Sequence, residues 1–221
     1  MEVLKPSEIA RQLERPFALQ QLAAVGHLGV HVYVCMGMVD WHKHPDEDEL
    51  FLVHEGSINL DTEAGNLTLQ AEELVVVPKG IAHRSGSRLR SVVLLVRPGV
   101  LTHRINGRRR VMILPEELKL EKQRLAQYRR KLSAPYQTVL VAGIEDYRLE
   151  LGLALGTSPD GQAPRGGCFL LGMRGGLGLT AGDEQTTLAE GEAVLLPAGV
   201  RYQLEAREEA TYLTLASRFP G

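Results

Sequence analysis

The chain repeats itself at long range. Gly56, Pro78 and Gly80 recur at a constant offset of 119 residues as Gly175, Pro197 and Gly199. Carried back without a gap, the offset pairs Pro16-Phe17 with Pro135-Tyr136. It also pairs Val30, Val32, Val34 and Met36-Gly37 with Leu149, Leu151, Leu153 and Leu155-Gly156. Carried forward, it sets Leu94 on Leu213 and Val96 on Leu215. An apolar pattern held in register over about eighty positions marks a duplicated unit. Two copies in 221 residues imply two small domains, each near the usual domain size of roughly 100 residues.

Within each copy the period is that of strands. Val30, Val32, Val34 and Met36 alternate with His31, Tyr33 and Cys35, and β-formers run from Phe17 to Val25 and from Gly29 to Met38. Further short runs follow at Leu50–Val53, Ser57–Leu60, Leu67–Leu69, Leu74–Val77 and Val92–Val96. Glu55-Gly56, Ala64-Gly65-Asn66 and Ser85-Gly86-Ser87 read as the turns between them. Many short strands with frequent turns predict an all-β sandwich or barrel. Pro6-Ser7-Glu8 ahead of Ile9, Ala10 and Leu13 predicts a short N-terminal helix. Residues 97–134 break the rhythm. Arg108 to Leu114 suits one more strand, and Pro115-Glu116-Glu117-Leu118 opens a polar helix to about Lys131, with Pro at its start and basic residues at its end. The expected organisation is an N-terminal barrel over 1–112, a helical linker over 113–134 and a C-terminal barrel over 135–221.

One stretch of the first copy carries chemistry: Trp41-His42-Lys43-His44-Pro45-Asp46-Glu47-Asp48-Glu49. Successive strand side chains point to opposite faces, so His42 and His44 project together while Lys43 points away. Pro45 and the acidic residues after it read as a turn, and Glu49 starts the returning strand. A carboxylate then faces two imidazoles, and His83 supplies a fourth donor after the turn at Pro78-Lys79-Gly80.

The spacing His42-x-His44-x4-Glu49-x6-Gly56, followed by Pro78-x-Gly80-x2-His83, resembles the two signature motifs of the cupins, and the duplication resembles a bicupin. The resemblance implies two tandem double-stranded β-helix, or jelly-roll, barrels. It also implies one divalent transition metal (Fe, Mn, Zn or Ni) held in the first barrel by His42, His44, Glu49 and His83. Two positions depart from the motif, and both are glycines in the family: Met36 stands where one is usual, with Gly37 just after, and Glu72 where the other is. Those glycines shape turns and bind no metal. The offset carries His42, His44, Glu49 and His83 onto Gly161, Ala163, Cys168 and Tyr202. Neither Gly nor Ala can donate to a metal, so the second barrel is expected to hold none and to serve a structural role.

The other histidines, His27, His31, His54 and His103, are expected to be ordinary strand or surface residues. A net charge of −2, from 25 basic and 27 acidic residues, provides no global field for nucleic acid or an anionic membrane. The clusters Arg108-Arg109-Arg110 and Arg129-Arg130-Lys131 read as solvated or linker charges. No apolar run reaches the roughly 18 residues of a membrane span, and Met1-Glu2-Val3-Leu4-Lys5 lacks a signal-peptide core, so the expected address is cytoplasmic. Cys35 and Cys168 alone form no Cys-x-x-Cys arrangement and are read as reduced thiols.

Three imidazoles and a carboxylate leave open positions on a six-coordinate ion. With Fe or Mn, a chelating substrate would meet O2, giving a dioxygenase. With Zn, Ni or Mn acting as charge alone, the same site would serve a sugar isomerase or epimerase. A noncatalytic small-molecule binding or sensor cupin is the third reading. Barrel-mouth candidates for a catalytic base are His31, Tyr33, Trp41 and Arg84, none assigned a role, and Arg84 could also pair with a substrate carboxylate or phosphate. The expected partners are a small-molecule substrate and a second chain in a homodimer.

Overall fold

The structure is a computed structural model, and it describes residues 1–99, 104–106 and 119–218. In chain order its elements are α1 (Pro6–Gln12), β1 (Gln20–Val25), β2 (Leu28–Met38), β3 (His42–Lys43), β4 (Glu49–Glu55), β5 (Ser57–Thr62), β6 (Gly65–Gln70), β7 (Glu73–Val77), β8 (His83–Pro98), β9 (Ile105–Asn106) and β10 (Gln123–Arg124). They continue with α2 (Leu125–Arg129), β11 (Thr138–Ile144), β12 (Tyr147–Thr157), β13 (Gly161–Gln162), β14 (Cys168–Arg174), β15 (Leu177–Ala181), β16 (Glu184–Leu188), β17 (Ala193–Leu196) and β18 (Arg201–Ser217). The protein is all-β with two short helices, and its strands form two antiparallel sets.

Two compact units result. One comprises Ser7–Leu22 and Leu28–Arg124; the other comprises Met1–Pro6, Ala23–His27 and Leu125–Gly221. In the first unit the strand order β2-β8-β4-β7-β10 makes one wall, and β3 and β5 pair with the start of β8. β8 bends to do both jobs: His83 pairs with His42 and Gly86 with Asn59, whereas Val92–Val96 lie between β2 and β4. The turn expected at Ser85-Gly86-Ser87 is therefore strand. Gly86 lets Met38 pack close against this part of β8, since a Cβ there would lie 2.6 Å from Met38 Sδ. The closed wall surrounds an apolar cluster that includes Tyr33, Cys35, Phe51, Val53, Val93 and Leu95. Each large apolar side chain fully buried in this cluster contributes about 1.5–3 kcal/mol of gross burial energy.

The second unit reproduces the first. β12 and β14 begin and end 119 residues after β2 and β4, and Gly161 pairs with Tyr202 as His42 pairs with His83. Leu4 joins this unit by reciprocal 2.8 Å hydrogen bonds with Ala193, and Gly26 N–H donates to the Gly166 carbonyl at 2.8 Å. Two segments from the start of the chain thus belong to the unit built mainly from its end. Near the C-terminal limit of the first unit, Glu73 accepts from Lys122 at 2.7 Å and from Arg124 at 3.0 Å, fixing β10 beside β7.

Of the helix expected from Pro115 to about Lys131, residues 115–118 lie outside the described residues. Residues 119–124 are not helical, and only Leu125–Arg129 is. Pairing of Gln123 and Arg124 with Leu74 and Glu73 takes backbone groups that a helix would need. The strand expected over Arg108–Leu114, the cluster Arg108-Arg109-Arg110 and His103 also fall outside the described residues. Among the described residues no helix is long and apolar enough to cross a membrane.

Candidate metal centre

β3, β4 and the start of β8 meet at one point of the first barrel. Glu49 opens β4 opposite Val77, while His42 on β3 faces His83 on β8 in register. The second motif turn is tied to the first by Gly80 N–H donating to the His44 carbonyl at 2.7 Å. One ligand atom from each of His42, His44, Glu49 and His83 then lies within 4.8 Å of the others, and the four side chains can hold a metal ion. Glu49 and His83 are each 2% exposed and His44 is 3%, while His42 is partly open. Two turn residues hold the approach. Gly56 has φ +79°, where a Cβ would come within 2.5 Å of Ser91 Oγ, and Glu72 takes φ +63°, the left-handed conformation that Gly191 takes in the copy.

Hydrogen bonding sets the direction of the lone pairs. Nδ1 of His42 donates to the Asp40 carbonyl at 2.8 Å, and Nδ1 of His83 to the Ile81 carbonyl at 3.0 Å. In a neutral ring the proton is then on Nδ1, and Nε2 presents a lone pair. For His83 that lone pair faces Glu49 Oε2 at 3.0 Å, and His44 Nε2 lies 3.5 Å from Glu49 Oε1. Two acceptors face to face at 3.0 Å require a positive centre between them, either a proton or a metal cation. Donors at right angles on an ion with bonds of about 2.1 Å are separated by about 3 Å, so the spacing and the donor types fit a first-row divalent ion.

Electrostatics favour an ionised Glu49 and a neutral His42. Burial alone would raise the Glu49 carboxyl, yet the hydrogen bond and charge of His83, with His44 and Arg97, hold it down at about 2. Burial, followed by the charge of His83, lowers His42 to about 4. Both directions favour the protonation states a metal needs.

The cluster opens onto a cavity of about 210 Å³. Phe17, Leu19, Val39, Phe51 and Leu95 give it apolar walls; Tyr33, Ser85, Arg97 and Arg104 give it polar ones. Phe17 lines the cavity from a backbone held at φ +61°, the same left-handed value that Tyr136, its counterpart in the copy, takes in the second unit. Burial pushes the Tyr33 hydroxyl above its ordinary value, with the charges of Cys35 and Glu49 acting the same way. That hydroxyl therefore stays protonated, 3.5 Å from Ser85 Oγ.

The four motif residues are brought together; the suggested catalytic bases are not. Tyr33 alone of them lines the cavity. His31 is buried with its ring over Gly29. Arg84 stacks on Trp41 at 5.1 Å, pairs with Asp61 at 2.9 Å and does not line the cavity. His27 bonds to the Tyr147 hydroxyl and His54 to Ser7 Oγ. Arg97 and Arg104 escaped the sequence reading. For Arg97 the signal was present but masked: steps of two from His83 through Ser85 reach Val93, Leu95 and Arg97 on one face of β8, yet the turn expected at Ser85-Gly86-Ser87 divides that strand. In the second barrel, Tyr202 packs its ring over Gly161, where a Cβ would lie 2.8 Å from it. Burial pushes the Cys168 thiol up to about 12, so it remains a thiol among apolar neighbours.

A buried cluster of three imidazoles and a carboxylate at the mouth of one barrel, with a second barrel lacking those donors, defines a two-barrel protein of the metal-site type. The chain belongs to the cupin superfamily, with two cupin barrels in one polypeptide. The cupin domain profile matches residues 36–97. The uncharacterized protein YdbB of Bacillus subtilis (strain 168) is 37% identical over 89 residues, which is 40% of this chain and 79% of that protein. Among solved structures, salicylate 1,2-dioxygenase from Pseudaminobacter salicylatoxidans is similar with a TM-score of 0.78 at 12% identity, covering 98% of this chain and 84% of that one. The same enzyme has been solved with gentisate. A Cupin 2 conserved barrel domain protein from Leptotrichia buccalis matches with a TM-score of 0.71 at 8% identity, covering 98% and 96%. At these identities the structural likeness shows the fold.

Proposed function

We propose that the protein is a metal-dependent cupin dioxygenase acting on a small chelating molecule, with His42, His44, Glu49 and His83 as the ligands of one redox-active divalent ion, iron or manganese. Such an ion, with positions left open to the cavity, supplies the site at which substrate and O2 meet. The residues do the rest. The Asp40 and Ile81 carbonyls hold two imidazoles in the tautomer that presents Nε2, Glu49 supplies the single negative charge, and Phe17, Leu19 and Phe51 keep water from the substrate face. The Tyr33 hydroxyl, kept protonated, would be available to donate a hydrogen bond to a substrate in the cavity.

The observation that carries this reading is the buried cluster of His42, His44, Glu49 and His83 opening onto a cavity walled by Phe17, Leu19, Phe51 and the proton-bearing Tyr33. The fold shared with salicylate 1,2-dioxygenase over nearly the whole chain supports the same reading. The test is anaerobic loading with Fe(II), followed by oxygen-electrode measurement across a panel of ortho-hydroxy acids and catechols. Substrate-dependent O2 uptake, with both atoms of labelled O2 in the product, is the expected result. Turnover of sugars under anaerobic conditions with Zn(II) would replace the proposal by the isomerase.

A further inference from the structure

We propose that the cavity takes a small organic carboxylate, anchored by the Arg97 guanidinium and completed by the ion held at His42, His44, Glu49 and His83. The inference rests on the metal reading above and adds the class of ligand.

Arg97 lies near the end of β8, on the inward face that Val93 and Leu95 continue, and it lines the cavity. Its side chain is only 19% exposed, and its Nη1 stands 3.5 Å from Glu49 Oε1, at the outer limit of a hydrogen bond. Its Nε is buried and finds no hydrogen-bond partner among the described residues. A guanidinium carries five N–H donors in a planar fork, and leaving them unsatisfied away from water is costly. The guanidinium therefore lines the cavity with donor capacity that no described residue takes up.

Charge leads to the same class. Three neutral imidazoles and one carboxylate leave a divalent ion with one net positive charge, and Arg97 and Arg104 share the same cavity. Once Glu49 gives its charge to the ion, the carboxylate that faced Arg97 is spent. A loaded cavity with apolar walls is thus strongly cationic and calls for an anion. A carboxylate matches a guanidinium fork through two oxygens. Phosphate sites usually add a helix N-terminus or a glycine-rich loop, and neither lines this cavity among the described residues. Phe17, Leu19, Val39 and Phe51 receive an apolar body, and about 210 Å³ restricts it to a small molecule, below the roughly 300–1,000 Å³ of drug-sized pockets.

The experiment uses the whole chain loaded with Co(II), whose visible bands report changes at the ion. The probes are 2-hydroxybenzoate, its neutral analogue 2-hydroxybenzamide, and inorganic phosphate. Saturable spectral change with the acid is expected, with the amide at least tenfold weaker. Arg97→Gln should raise half-saturation for the acid tenfold or more and leave the amide unmoved, while Arg97→Lys restores part of the loss. Equal binding of acid and amide, or an unchanged affinity in Arg97→Gln with full cobalt content, overturns the inference and leaves the metal reading standing. Phosphate binding tighter than the acid and dependent on Arg97 also overturns it. A chain that takes up no cobalt by elemental analysis overturns the metal reading, and the inference with it. If Arg97→Gln fails to fold by circular dichroism, the comparison of acid with amide on the unaltered chain decides.

Discussion

Glu49 is the one negative charge in the cluster, and acid titration of the metal-free protein isolates what it contributes. Its carboxyl is held at about 2 against an ordinary 4.5. At 1.36 kcal/mol per unit the difference is about 3 kcal/mol. The folded state releases the proton more readily than the unfolded state, so between these two values the unfolded chain binds more protons. The contribution is therefore complete above pH 4.5 and is lost as pH falls toward 2. Glu49→Gln removes it at every pH, because the amide has no charge to lose. Urea unfolding of both proteins in chelator, from pH 5.5 down to 2.5, should show the unaltered chain ahead by about 3 kcal/mol at the upper end. The gap should narrow steadily toward zero. Other acidic groups titrate in both proteins and largely cancel in the difference. Two parallel curves would refute the reasoning, since they would mean that Glu49 is no more acidic in the fold than outside it.

Three other outcomes are expected. His42, lowered by burial to about 4 from 6.5, is a group whose unfolded state binds the extra proton. The metal-free protein should therefore lose stability relative to His42→Gln as pH falls from 6.5 to 4. After discounting for its partial exposure the loss is about 2 kcal/mol, read from urea midpoints. Gly56→Ala should destabilise by about 2–3 kcal/mol in thermal unfolding, because it forces a left-handed alanine and displaces Ser91 Oγ, which accepts from Ser57 N–H at 3.0 Å. Cys35 and Cys168, both buried and pushed up to about 12, should resist an aromatic disulfide reagent at pH 8 until denaturant is added; rapid labelling of either in the native protein would contradict their burial.

Much of this architecture was legible because duplication writes the same strands twice. Leu28–Met38 and Tyr147–Thr157 share an alternation that chance does not keep, and the His42, His44, Glu49 and His83 spacing survives because turn lengths fix it. What stayed hidden has physical causes. Both faces of β2 are buried through Cys35, so its alternation does not distinguish barrel interior from exterior, and His31 and Tyr33 could not be sorted. Ser85-Gly86-Ser87 reads locally as a turn although it is part of β8, which hid that His83 and Arg97 share one face of a single strand. The strand at Gln123–Arg124 is made by pairing with Leu74 and Glu73, a long-range contact that local helix signals do not report. Assignment of Met1–Pro6 and Ala23–His27 to the second unit is likewise a tertiary fact, resting on bonds to Ala193 and Gly166.

The most direct measurement is the metal content of untagged protein and of His44→Ala, each titrated with a divalent transition metal and followed by elemental analysis and far-UV circular dichroism. Four donors gathered in one barrel, against Gly161, Ala163, Cys168 and Tyr202 at the matching positions of the other, predict one ion per unaltered chain. They predict no stoichiometric ion in His44→Ala, with the β-sheet spectrum retained. An unaltered chain that takes up no metal, or a His44→Ala chain that keeps its full complement, would contradict the account.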